Sequence, residues 1–208
     1  MKALKQRYSI PINSILGLLF VLSFSSCHKT DIDGYKQYTI MEGNHYAEQV
    51  ADFRPLQDDE LHQSIYFGYE CWYDNSYVVH SGYNKLTGLS QILQPHSKSG
   101  RIVWQPDYNN VGKIKLSGYV YGADTTLYNV NPSGWFAKPI ITVTTGDPFD
   151  VRVHRWDDKW EFLIRQHGET RAVWIYADMP NTPLQLEIPY FGGKDAAYWD
   201  MSIYIKEL

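Results

Sequence analysis

Residues 112–122 read GKIKLSGYVYG, and the alternation inside this stretch decides the fold. Successive side chains of a strand point to opposite faces, so Ile114, Leu116 and Val120 share one side while Lys113, Lys115, Ser117, Tyr119 and Tyr121 share the other. One face calls for a core and the other for water or a ligand. Working outward, RIVWQP (101–106) reads as the preceding strand, joined through DYNNVGK by a hairpin-like connection. FDVRVHRWDDKWEFLIR (149–165) breaks at Asp157-Asp158 into one strand around Val151 and Val153 and another around Trp160, Phe162 and Ile164. Asp suits such a tight hairpin because its side chain bonds local backbone. HQSIYFGYECWYD (62–74) places Ile65, Phe67, Tyr69 and Cys71 on one face and Tyr66, Glu70 and Trp72 on the other. RAVWIYA, the turn MPNTP, LQLEIPYF, a Gly-Gly break and DMSIYIKEL complete the series. No amphipathic helix of three capped turns is present, although ADFRPLQDDELHQ (51–63) reads as room for one short helix.

About nine to thirteen strands with turn-sized gaps require two sheets that cover each other, or one sheet that closes. The expected fold is all-β, a two-sheet β-sandwich of jelly-roll, lectin-like type, with a closed barrel as the lesser alternative.

The N-terminus is of a different kind. MKALKQRYSIPINS carries Lys2, Lys5 and Arg7, then gives way to the apolar ILGLLFVLSF, to Ser25-Ser26 and to Cys27. A run this short falls below the roughly 20 residues of a membrane span and reads as a secretory signal. Residues 1–26 resemble a bacterial lipoprotein signal peptide, with Cys27 as the acylated residue, 27–37 as a lipid-anchored tether and 38–208 as the β-sandwich domain. The resemblance implies anchoring in the bacterial outer membrane. An ordinary secretory peptide is the alternative.

Removing 26 of 208 residues leaves 182, and because the lost segment holds three cations and no acid, the formal charge falls from -4 to -7. With no long basic run, nucleic acid is not an expected partner. If Cys27 carries lipid, Cys71 has no disulfide partner and reads as a buried thiol. No histidine pair has zinc spacing, so no cofactor is expected; a structural calcium in GADTT or DYNN is the metal chemistry left open. His96, Lys98 and Arg101 in HSKSGR are mildly basic without forming a phosphate or heparin site.

Three stretches, residues 84–122, 149–165 and IPYFGGKDAAYWDMSIYIKEL (188–208), together resemble a group of Bacteroidetes surface lipoproteins and secreted proteins with concanavalin-type jelly rolls. The closing YFGG followed by IYIKEL is the most specific part. Where that group often carries Pro-His-Asp, this chain has Tyr198-Trp199-Asp200, so no role of that histidine transfers.

The candidate ligand surface combines Lys115, Tyr119 and Tyr121 with Arg152 and His154, on the supposition that their strands line one concave sheet. Aromatic rings offer apolar area to a pyranose face, polar tips orient hydroxyls, and an arginine pairs with an acidic sugar. Trp135 in NPSGWF and Trp199 in AAYWDM sit near turns, where they would rim a groove; Trp160 shares the parity of Phe162 and reads as core. The leading expectation is a glycan-binding module accessory to polysaccharide use, taking a polysaccharide or oligosaccharide. The alternatives are a polysaccharide-cleaving enzyme, or a structural or adhesion lipoprotein with surface protein partners. A uronate lyase would use His154 or Tyr121 as base and acid with Arg152 neutralising the uronate. A glycoside hydrolase would draw on Glu70, Asp74, Glu161, Glu187 and Asp200, which form no paired motif.

Overall fold

The computed structural model describes residues 33–49, 55–56, 58–74, 82–92, 96, 98–180, 183–193 and 195–208. The stretch read as a signal peptide, Cys27 and most of the stretch read as a tether lie outside the described residues, as do residues 51–54 and 57 of the segment read as a short helix. What is described of that segment is extended.

Strands β1 (Lys36–Ile40), β2 (Pro55–Leu56), β3 (Glu60–Phe67), β4 (Asn84–Gln91), β5 (Ser99–Pro106) and β6 (Lys113–Tyr121) are followed by β7 (Trp135–Thr144), β8 (Phe149–Arg155), β9 (Lys159–Gln166), β10 (Glu169–Tyr176), β11 (Leu184–Glu187) and β12 (Met201–Glu207). They form two six-stranded sheets, β1-β12-β3-β8-β9-β10 and β2-β11-β4-β5-β6-β7, with every pairing antiparallel. The fold is the expected two-sheet sandwich of jelly-roll type. β1 begins at Lys36, inside the stretch read as tether.

The face inferred from GKIKLSGYVYG is the core face: Ile114, Leu116 and Val120 are buried against the opposite sheet. Trp160, Phe162 and Ile164 of β9 are fully buried, as their parity requires. The parity of the 62–74 stretch holds only to Phe67. There the strand ends and Tyr69–Cys71 wind into a 3₁₀ turn, which buries Cys71 and leaves Tyr69 77% exposed, not sharing the core face as expected.

Two glycines set the spacing of the sheets. A Cβ on Gly100 of β5 would collide with the indole of Trp160, and one on Gly118 of β6 would lie 2.5 Å from Phe162 Cδ2. The largest side chains of β9 therefore seat in notches of the second sheet where a side chain is missing. A hydrogen bond also crosses the interior, from Thr87 Oγ1 to Gln63 Oε1 at 2.8 Å, and satisfies both buried polar groups.

Because Phe162 is fully buried and its ring would have to shift to admit a Cβ, Gly118→Ala is expected to destabilise the domain by about 1–3 kcal/mol. Urea unfolding checks this, and Gly118→Ala combined with Phe162→Leu should recover part of the loss; equal stability of wild type and single variant would refute the notch.

Candidate functional site

Tyr119, Tyr121 and Trp135 of the expected surface come together on the outer face of the second sheet. Cross-strand register lays out two rows there. One runs Gln185, Ser90, Ser99, Tyr121, Trp135; the next runs Glu187, Gly88, Arg101, Tyr119, Ala137. The Tyr119 and Trp135 rings stack at 5.2 Å, Tyr83 meets Trp135 edge-on at 5.8 Å, and Tyr121 meets Tyr119 edge-on at 5.4 Å. A cleft of about 340 Å³ opens beside Trp135, walled by Tyr83 and residues 129–132, within the range of ~300–1,000 Å³ typical of ligand pockets.

Lys85 stands among these rings. Its ammonium donates to the Tyr83 carbonyl at 3.0 Å and lies 5.7 Å from the Tyr119 centroid and 5.5 Å from that of Tyr190. Burial, with a smaller contribution from the nearby Arg101 charge, pulls its pKa down to about 8. Burial likewise holds Tyr119 neutral, far above the ordinary phenol range. His96 meets Tyr121 edge-on at 5.8 Å, and burial followed by the Arg101 charge holds it below the usual imidazole range. Arg101 is itself buried and pairs with Glu187 at 3.4 Å; Glu187 is held in place by Ser90 and by Gln185 Nε2 at 3.2 Å.

The YFGG stretch builds one wall. Tyr190 bridges Lys85 through reciprocal backbone hydrogen bonds of 2.8 and 3.0 Å, and the Gly192 N–H donates to Asn84 Oδ1 at 2.9 Å. A Cβ on Gly192 would strike the Tyr83 carbonyl and lie 2.8 Å from the Lys85 ammonium, so glycine lets the segment close onto β4. Tyr46 and His45 pack on Tyr190 from outside.

The remaining expected residues lie elsewhere. Arg152 and His154 belong to β8 in the first sheet, and β6 belongs to the second, so the supposed single concave surface does not exist. Alternation along β6 and β8 is the same; only pairing assigns them to different sheets. Arg152 and His154 bind the Glu60 carboxylate at 2.9 and 2.8 Å. Lys115 shares the face of Tyr119 but lies toward the other end of β6, bridged to Asp107 at 3.0 Å. Trp199 donates to the Glu70 carbonyl at 2.7 Å and packs on Tyr73 and Tyr198, away from the rings around Lys85. Lys85, Tyr83 and Tyr190 were not among the expected site residues; Glu187 was weighed as a hydrolase acid and Arg101 as part of a mildly basic stretch, neither as a member of this surface. The outward parity of Arg101 between Ile102 and Gly100 was available, whereas a register shift between Lys85 and Thr87 conceals the facing of Lys85.

The acids weighed for glycoside hydrolysis are scattered. Glu187 is on this face, Glu161 is on the other sheet, and Glu70 and Asp200 accept the backbone N–H groups of Ser202 and Glu42, each at 2.9 Å. In the loops weighed for calcium, Asp124 accepts from the Thr126 amide and hydroxyl, and Asp107 from Asn110 and Lys115. Those oxygens serve the turns. Lys98 of the HSKSGR stretch turns away to Asp178 at 2.7 Å.

No protein-family model matches the chain, and no curated protein sequence matches it. In structure it is similar to the alginate lyase AlyC3, with a TM-score of 0.52 over 83% of this chain and 73% of that one at 7% identity. The fold is shared; the identity is too low to carry chemistry. It is also similar to the alginate lyase from Klebsiella pneumoniae, with a TM-score of 0.46, 8% identity and coverage of 70% of this chain, and spans 56% of that enzyme. Alginate lyase A1-II', a member of polysaccharide lyase family-7, gives 0.47 at 12% identity over 92% of this chain and 84% of that one.

Lys85 makes a signed prediction. Its folded pKa of about 8 lies below the unfolded value of about 10.4, so between those pH values the unfolded chain binds more protons and stability contributed by this group rises with pH. In urea unfolding, the stability advantage of Lys85→Met over wild type should therefore shrink between pH 7.5 and pH 9.5; a constant difference would contradict a depressed ammonium.

Proposed function

We propose that this chain is a lipoprotein, acylated on Cys27 and anchored in a bacterial outer membrane, whose sandwich binds an acidic polysaccharide across the outer face of its second sheet. The observation that carries the reading is the placement of the Lys85 ammonium among Tyr119, Tyr190 and the Tyr83–Trp135 pair. The half-buried rings of Tyr83, Tyr121, Trp135 and Tyr190, backed by buried Tyr119, supply flat apolar area for sugar faces, and the ammonium attracts a uronate carboxylate in a partly desolvated setting where the attraction is stronger than in water. Arg101, paired with Glu187, stiffens the floor of the same face, leaving Lys85 as the cation that faces a ligand.

Affinity electrophoresis of the full chain, purified in detergent, through gels containing alginate or neutral glucan tests this. Retention by alginate is expected, weakening as pH rises through about 8 because a neutral Lys85 no longer attracts carboxylate. Lys85→Met should lower retention and remove that pH dependence, and Trp135→Ala should weaken binding about tenfold. Equal mobility with and without any polyuronate would sink the proposal.

A specific contact favours cleavage as a second reading. Tyr121 and His96 meet beside the cationic pair Lys85 and Arg101, and the depressed His96 is a neutral imidazole able to accept a proton at neutral pH. In β-elimination, a base removes the proton beside the uronate carboxylate, the C4–O bond breaks, the leaving oxygen takes a proton, and a C4–C5 double bond remains. Tyr121 and His96 would share the proton transfers while Lys85 stabilises the charge developing on the carboxylate. The similarity in fold to AlyC3, an alginate lyase, is compatible with this chemistry. Unsaturated ends released from alginate, and a loss of about 10²–10⁴-fold in Tyr121→Phe with retention intact, are the expected signs; retention without new ends leaves the binding reading alone.

A further inference from the structure

The first sheet carries a different surface on its own outer face, at the β8–β10 end. Trp156, Trp174 and Tyr176 are 46%, 45% and 39% exposed there. Trp174 and Tyr176 project from one face of β10, and Trp174 is the cross-strand partner of Glu161. Trp156 follows β8 and donates its indole N–H to Glu161 at 3.4 Å, while its ring lies on His154 at 4.4 Å. Two half-exposed indoles thus flank one carboxylate, and one of them is already fixed in orientation by its neighbours.

We propose that this patch is a second saccharide-binding surface, and that it takes a neutral, hydroxyl-rich glycan. Flat exposed rings on a sheet match the chemistry of a pyranose: its apolar C–H face lies on the indole, and its hydroxyls donate to acceptor oxygens at the rim, where Asp157 and Asp158 are exposed, while Glu161, within 4.0 Å of Arg152, holds the Trp156 indole in place. Charge selects the class. Asp59, Glu60, Asp157, Asp158 and Glu161 surround the patch, and three cations, Arg152, Arg155 and Lys159, oppose these five acids. Arg152 and Arg155 are taken up by Glu60 and Asp59 at 2.9 and 2.6 Å, and Lys159 lies over the Tyr176 ring at 5.5 Å. A polyuronate would meet net negative charge here, whereas a neutral sugar would not. The two outer faces thereby differ in sign, which separates their ligands.

The test uses the full chain in detergent and gels containing a neutral β-glucan, a xylan or alginate. Trp174→Ala and Trp156→Ala should each weaken retention by a neutral gel about tenfold and leave alginate retention unchanged, while Trp135→Ala and Lys85→Met should do the reverse. Circular dichroism and urea unfolding confirm that the variants fold. Absence of retention on both neutral polymers, or neutral retention unaffected by Trp174→Ala, overturns the proposal. So does a result in which the tryptophan variants change only the sedimentation of the chain, because the patch would then be a contact between copies.

Discussion

The seating of Trp160 and Phe162 in the gaps above Gly100 and Gly118 is the constraint on which the rest of the molecule depends. Large rings on one sheet opposite missing side chains on the other let two twisted sheets approach without collision. The consequence reaches the surface. Gly100 precedes Arg101 and Gly118 precedes Tyr119, and Arg101 and Tyr119 are paired across the strands on the outer face. The glycines that fix the depth of the core thus also fix the height at which the arginine and tyrosine of the candidate site stand. A site on a rigid sheet is placed more accurately than one on loops.

The two outer faces differ in how they hold charge. On the second sheet, buried Arg101 pairs with half-buried Glu187, which also accepts from Ser90 and Gln185, an arrangement whose desolvation opposes its Coulomb gain and whose hydrogen bonds decide the balance. Removing Glu187 would leave Arg101 charged, buried and without this carboxylate, so the pair holds local geometry firmly whatever its net contribution. On the first sheet, Glu60, Arg152 and His154 face solvent more openly. Against the upward push of burial, the His154 hydrogen bond and the Arg152 charge hold Glu60 below the usual carboxylate range. Screening by water keeps that cluster weak, and it leaves the neighbouring indoles exposed.

Much of the fold was legible in the chain because alternation records which side of a strand is buried. β6, β8 and β9 carry that record without interruption, and their inward residues were read correctly. Which strands lie side by side is written in pairings between residues far apart in sequence, as in Glu60 with His154 or Leu184 with Gln91. That is why two of the five residues of the expected ligand surface, Arg152 and His154, proved to lie on the opposite sheet from Tyr119 and Tyr121. Alternation also fails where a strand bends or ends. The irregularity at Leu86 hid Lys85, and the 3₁₀ turn after Gly68 turned Tyr69 outward.

The YFGG stretch shows how a motif can be specific for a reason other than chemistry. It was notable as a likeness, yet its glycines do no chemistry: Gly192 admits the Tyr83 carbonyl and the Lys85 ammonium at distances a side chain would forbid. Closing there, the segment lays Tyr190 over Lys85 and removes water from the ammonium, the same burial that lowers its pKa. Tyr46 and His45, brought up from the start of the domain, hold Tyr190 down in turn. A backbone requirement is thereby converted into an electrostatic property: the depressed ammonium of Lys85 owes its poise to Gly192 and Tyr190.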